Sequence, residues 1–175
     1  MKRIAAGLAA LLLAAPAHAG DFRLTSPDVA EGGRIADAQV FNGFGCAGGN
    51  RAPALAWSDA PAGTRSFAVT VYDPDAPTGS GWWHWVVFNL PPSVHSLAPG
   101  HLPAGAVESR TDFGAPGYGG PCPPVGDKPH HYIFTVHALK VETLPLNPDA
   151  SGAMVGFFLR GASLGTASIT ALYGR

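Results

Sequence analysis

Four side chains able to take part in acid–base or anion chemistry stand at the ends of apolar runs: Asp73, His84, His130 and Tyr132, with Asp75 two residues beyond the first. Side chains alternate across a β-strand with period two, so Phe67, Val69 and Val71 share a face and the same row ends in Asp73. By the same spacing Val86 and Phe88 share a face with His84, and Phe134 and Val136 share one with His130 and Tyr132. A strand-end Asp is ordinarily a turn former, and a lone His on an apolar face is ordinarily a hydrogen-bonded core residue. Three rows repeating the arrangement predict instead that the polar ends converge at one rim of a sheet and form a small polar pocket.

Two imidazoles, a phenol and backbone N–H groups of Gly/Pro loops are donors, which suits the oxygens of a phosphate or carboxylate. Asp73 and Asp75 fit that picture as organisers, accepting from His N–H or loop amides, or from an ammonium on a zwitterionic headgroup. Binding is then expected to be strongest with the imidazoles protonated, at or below about pH 6.5. A divalent metal on Asp73, Asp75, His84 and His130 is the rival, but no His-x-x-x-His or Cys/His cluster accompanies them, so no metal or other cofactor is expected. Nucleophilic hydrolysis is weaker still: Gly79-Ser80-Gly81 lacks the Gly-x-Ser-x-Gly elbow, and Ser80 reads as a turn residue. In a regular strand Trp83 and Trp85 share one side and Trp82 takes the other, for packing rather than base stacking.

The elements that must position these groups are mostly strands. Arg65 to Asp73, Trp82 to Leu90 and His130 to Leu139 are rich in β-branched and aromatic residues and are bounded by Pro and Gly. Gln39 to Gly49 predicts a short strand and an irregular loop, and Ser93 to Asp127 a long crossing with one short strand, a length that is unusual unless it builds a site. Helical spacing is confined to the C-terminal part, where Asn147 can cap, Pro148 suits the first position, and Ala150, Ala153, Met154, Phe157, Phe158 and Gly161 share a face. Thr166 to Tyr173 reads as a closing strand. One or two short helices, several strands and no βαβ rhythm predict a mainly β, antiparallel sandwich.

Lys2 and Arg3, the apolar run Ile4 to Ala15, and Pro16-Ala17-His18-Ala19 read as a secretory leader, cut after Ala19, with residues 20–175 forming one domain. The run is shorter than the roughly 20 residues of a membrane span, so no stable insertion is expected after cleavage. Losing Lys2 and Arg3 leaves nine Lys+Arg against twelve carboxylates, and such a balance excludes nucleic-acid binding through a basic field. Export makes a Cys46–Cys122 disulfide the first expectation, with two buried thiols or a nucleophilic Cys122 as alternatives.

Taken in order, Val71-Tyr72-Asp73-Pro74-Asp75-Ala76-Pro77, Trp82-Trp83-His84-Trp85-Val86-Val87 and Gly120-Pro121-Cys122-Pro123-Pro124 before His130-His131-Tyr132 carry a resemblance. The chain resembles the phosphatidylethanolamine-binding protein family, in its bacterial Raf-kinase-inhibitor-like branch. The resemblance implies a Greek-key β-sandwich whose anion pocket uses Asp73, Asp75, His84, Pro124, His130 and Tyr132, with Gly120 and Pro121 in the wall. Ligands implied are phosphate, acetate or a phospholipid head; kinase restraint belongs to eukaryotic members and is not carried over. His131 replaces the family's usual Arg and, facing away from the pocket, should leave it intact. A bridge from Cys46 to Cys122 would stiffen the wall. The expected function is an exported, periplasmic or secreted, non-enzymatic module for a small anion. A partner-inhibiting interaction protein and a hydrolase using the same pocket are the other classes, and the oligomeric state, homodimer included, is open.

Overall fold

The computed structural model describes residues 21–175, so the expected leader lies outside the described residues. The elements in chain order are β1 (Arg23–Thr25), β2 (Asn42–Gly43), β3 (Cys46–Ala47), β4 (Leu55–Ser58), β5 (Ser66–Asp73), β6 (Trp82–Leu90), β7 (Ser96–Leu97), β8 (Val107–Glu108), β9 (His130–Leu139), α1 (Gly152–Ala162) and β10 (Ser163–Tyr173). The fold is mainly β and its named strand pairs are antiparallel, as expected.

The large sheet has the order β10-β9-β5-β6-β8, and a small sheet β1-β4-β7 covers one of its faces. Leu24, Leu55, Trp57 and Leu97 of the small sheet share a core with Phe67, Val69, Val71, Phe134, Val136 and Ile169 of the large one. The opposite face carries Ala68, Val86, Phe88 and Leu139, and α1 covers it with Val155, Leu159 and Ala162. Burial on both faces explains why β5 reads as a nearly unbroken apolar run.

The pairing of β5 with β6 is interrupted at the site. Val71 faces Trp85 and Tyr72 faces Trp83, which leaves His84 as the extra residue of a β-bulge. Regular alternation would have kept His84 on the Val86 and Phe88 face, the row expected from sequence, which in the structure lies beneath α1; the bulge turns it to the opposite face, where it joins the expected pocket. The same insertion overturns the expected side for the tryptophans. Trp85 enters the core beneath the small sheet, Trp82 faces the cavity beside Phe113, and Trp83 alone packs toward the helix.

The helix begins later than expected and buries a different stripe. The Asn147 side chain accepts the Asp149 N–H in a turn, and Ser151 is the cap, its hydroxyl accepting from the Met154 N–H at 3.2 Å. The buried residues are Gly152, Val155, Leu159 and Ala162, whereas Phe157 is 73% exposed. The cause is a close approach across the fold: a Cβ on Gly152 would overlap the Trp83 ring, so the glycine lets the helix settle onto the indole and sets its rotation.

Candidate functional site

Asp73 closes β5 and is 2% exposed, with both carboxylate oxygens engaged. Oδ1 accepts the N–H groups of Asp75 (2.8 Å) and Ala76 (3.1 Å), which folds the chain over Pro74, and Oδ2 accepts from Nδ1 of His130 at 2.8 Å. On the other side of its ring, His130 Nε2 lies 3.4 Å from Asp127 Oδ2. Nδ1 is thus fixed by a short, buried contact, whereas Nε2 meets only the half-exposed Asp127 across a long one and is open to a ligand that displaces it.

His84, projected by the bulge, is gripped by both backbone groups of one residue, Gly119. Its backbone carbonyl accepts the Gly119 N–H at 2.9 Å, and Nδ1 lies 2.6 Å from the Gly119 carbonyl oxygen. A carbonyl cannot donate, so Nδ1 carries the proton. Burial pushes the imidazole down to about 4, against the opposing pull of the Gly119 carbonyl and Asp73. His84 is therefore neutral at pH 7 and presents a lone pair at Nε2, which corrects the expectation that it titrates near pH 6.5 as a cationic donor. Tyr132 stands edge-on to His84, with ring centroids 5.1 Å apart, and burial, reinforced by Asp73, raises its phenol so that it stays protonated.

These four groups line one cavity of about 160 Å³ whose remaining walls include Phe44, Pro77, Trp82, Phe113, Pro123 and Pro124. The pocket is thus polar at its base and apolar at its sides, with room for a compact group. Of the residues expected from sequence, Asp73, His84, Pro124, His130 and Tyr132 meet there. Gly120 and Pro121 stand behind the wall: the Gly120 N–H is taken by Asn50 Oδ1 at 2.8 Å, and the Pro121 carbonyl by the Phe41 N–H at 3.1 Å.

Asp75 does not line the cavity. Its Oδ2 lies 2.7 Å from both the backbone N and Nδ1 of His131, clasping the turn after β5 to β9 from outside. Burial works against ionisation here, but these His131 hydrogen bonds prevail and hold the Asp75 carboxyl below its usual value of 3.8. Among the described residues, no group of three or more His, Cys, Asp or Glu is arranged to hold a metal ion.

Cys46 and Cys122 are joined in a disulfide. It ties the β2–β3 hairpin, whose turn carries Phe44, to the Pro-rich wall. The Arg175 guanidinium ties the same two parts a second time, Nε donating to the Pro123 carbonyl at 2.6 Å and Nη2 to that of Phe44 at 3.2 Å. Residue typing did not single out Phe44 or Phe113. Phe44 sits at φ +53° between Gly43 and Gly45, and a bulky residue in that conformation was the available signal. Phe113 is carried by a turn in which the Thr111 N–H reaches the Ala115 carbonyl at 3.0 Å.

A two-layer antiparallel sandwich with one small cup at the end of its large sheet is the class this fold and site define. The family model for phosphatidylethanolamine-binding protein matches residues 25–174, and the chain belongs to that family. It is 49% identical to YbcL of Escherichia coli, over 99% of this chain and 98% of that one. It is 53% identical to YbhB of the same organism, over 86% of this chain and 99% of the other. A Mycobacterium tuberculosis relative whose name calls it a lipoprotein, LppC, is 39% identical over 90% of this chain and 75% of its own length. The crystal structure of E. coli YbcL, described as a new member of the mammalian PEBP family, superposes with a TM-score of 0.87 at 52% identity, covering 89% of this chain and 99% of that one.

Proposed function

We propose that this protein is an exported binding domain for a small phosphate-type anion, free or as the head of a phospholipid. The observation that carries the reading is the convergence of His84, His130 and Tyr132 around one cavity of about 160 Å³, with Asp73 spent entirely on holding His130 and the adjoining turn. His130 and Tyr132 supply donors, and the apolar rim keeps water from competing for them. So small a cup takes an anionic head and leaves any tail outside. Export is supported by the basic-then-apolar start of the chain, by the disulfide, and by a relative named as a lipoprotein. No helix among the described residues is long and apolar enough to cross a membrane.

Calorimetric titration with inorganic phosphate at pH 6 tests the binding half of the reading. Saturable one-to-one binding that Tyr132→Phe weakens and His130→Ala abolishes is the expected result. An isotherm indistinguishable from buffer dilution for the folded wild-type protein would refute it. Secretion of the full chain with loss of residues 1–19, read by N-terminal sequencing of the exported form, tests the other half.

A further inference from the structure

A pocket that holds an anion ordinarily offers it donors, and His84 does not conform. Its Nδ1 is committed to the Gly119 carbonyl at 2.6 Å, so the neutral ring has only an acceptor, Nε2, left for a ligand. The groups around it come from three further parts of the chain: Asp73 from β5, His130 and Tyr132 from β9, and Asp112 with the Phe113 ring from the connection before β9. The two carboxylates favour a proton on His84, yet burial outweighs them and keeps the ring neutral down to about pH 4. Tyr132 remains as a donor, joined by His130 Nε2 once a ligand displaces its 3.4 Å contact with the exposed Asp127 carboxylate.

A fully ionised anion would set an oxygen's lone pairs against the Nε2 lone pair. An anion that still carries one hydroxyl satisfies every group: its O–H donates to Nε2 while its charged oxygens accept from His130 and Tyr132. Resting on the reading that the cup holds a phosphate-type anion, we propose that the site selects a phosphate monoester in its singly protonated form, with His84 Nε2 as the acceptor that reads the P–O–H group. A phosphodiester has no such proton between pH 5 and 8 and binds well only where His84 itself becomes protonated, so among phospholipid heads the site favours an unesterified phosphate monoester over the more usual diester.

Two measurements on the wild-type protein test this without a variant that could misfold. The first compares methyl phosphate with dimethyl phosphate, neither of which carries any other donor. Monoesters lose their second proton near pH 6, so at pH 5.5 methyl phosphate should bind at least about tenfold more tightly, by roughly the full energy of one charge-assisted hydrogen bond. Its affinity should fall toward tenfold per pH unit above pH 6, and the two esters should converge near pH 4. The second is calorimetry in buffers of different ionisation enthalpy. Methyl phosphate should bring close to one proton into the complex at pH 7.5 and close to none at pH 5.

Equal affinities of the two esters at pH 5.5, or no proton uptake with methyl phosphate at pH 7.5, would overturn the proposal while leaving phosphate binding standing. Failure of both esters to bind anywhere from pH 4 to 8 would overturn the binding function as well. Tighter binding of hexyl phosphate than of methyl phosphate assigns the head to an amphiphile, and equal binding assigns it to a soluble monoester. Both results keep the proton requirement.

Discussion

Asp73 Oδ2 and His130 Nδ1 meet at 2.8 Å in a setting where both side chains are almost sealed from water. The carboxylate belongs to the end of β5 and the imidazole to the start of β9, so this bond fixes the spacing of the cup's base. Removing the charge from one partner strands the other. Asp73→Asn is expected to destabilise the fold by about 3 kcal/mol, the scale for breaking a buried pair, and to reduce phosphate affinity. Urea denaturation gives the first quantity and calorimetry the second; an unchanged midpoint would mean the pair holds nothing.

Acid should destabilise the ligand-free protein earlier than carboxylate titration alone would. Burial lowers both His84 and His137 to about 4, against 6.5 when unfolded. Between those values the unfolded chain binds more protons, so this contribution is fully present above pH 6.5 and is lost as pH falls from 6.5 to 4. His137 lies outside the cup, its Nε2 3.2 Å from Thr70 Oγ1. His137→Gln should therefore flatten part of that decline, measured as the urea midpoint from pH 7 to pH 4, without altering anion binding. A decline of the same steepness in the variant would remove His137 from the account.

The disulfide should matter more to the cup than to the sheets. Closing a loop between residues 76 apart constrains the unfolded chain by about 4 kcal/mol in the chain-entropy model. In the folded state, the bridge holds the Phe44 hairpin to the Pro123–Pro124 wall. The Cys46→Ser, Cys122→Ser double variant is expected to keep the β-sheet circular dichroism of the parent while phosphate affinity drops several-fold. Identical affinity with and without the bridge would contradict that coupling.

Helix docking supplies a paired test. Gly152→Ala drives a methyl into Trp83 and should destabilise by about 1–3 kcal/mol through overpacking. Gly161→Ala, where an added Cβ meets nothing within 4 Å, should stabilise by about 0.5–1 kcal/mol. Thermal melts read both, and the same sign for the two variants would show that the Trp83 contact does not position α1.

What could be read from the residues alone follows from where the chain keeps a regular period. The row from Phe67 to Asp73 and the row from His130 to Val136 run without interruption near their polar ends, so alternation placed Asp73, His130 and Tyr132 together before any coordinates. His84 reached the same cup for a reason that alternation cannot express, because the bulge opposite Tyr72 and Val71 is set by pairing between strands. The helix register was hidden likewise: the contact that selects its buried stripe joins Gly152 to Trp83, far apart in sequence. Phe44 and Phe113 owe their place in the walls to turns and to each other, their rings stacked with centroids 5.9 Å apart. Composition carries no trace of such contacts. Asp75 entered the expected site through the Asp73-Pro74-Asp75 sequence and the resemblance it helps carry, whereas its partner in the structure is His131 on the outer side of β9.

The central claim, that His84, His130 and Tyr132 together grip a phosphate-type anion, is tested most directly by NMR of protein labelled at its histidine rings during titration with inorganic phosphate at pH 6. Saturable shifts of the His84 and His130 ring signals with one common dissociation constant are expected, while those of His95 and His137 stay still. Shifts confined to other histidines, or no saturable change at His84 and His130, would contradict it.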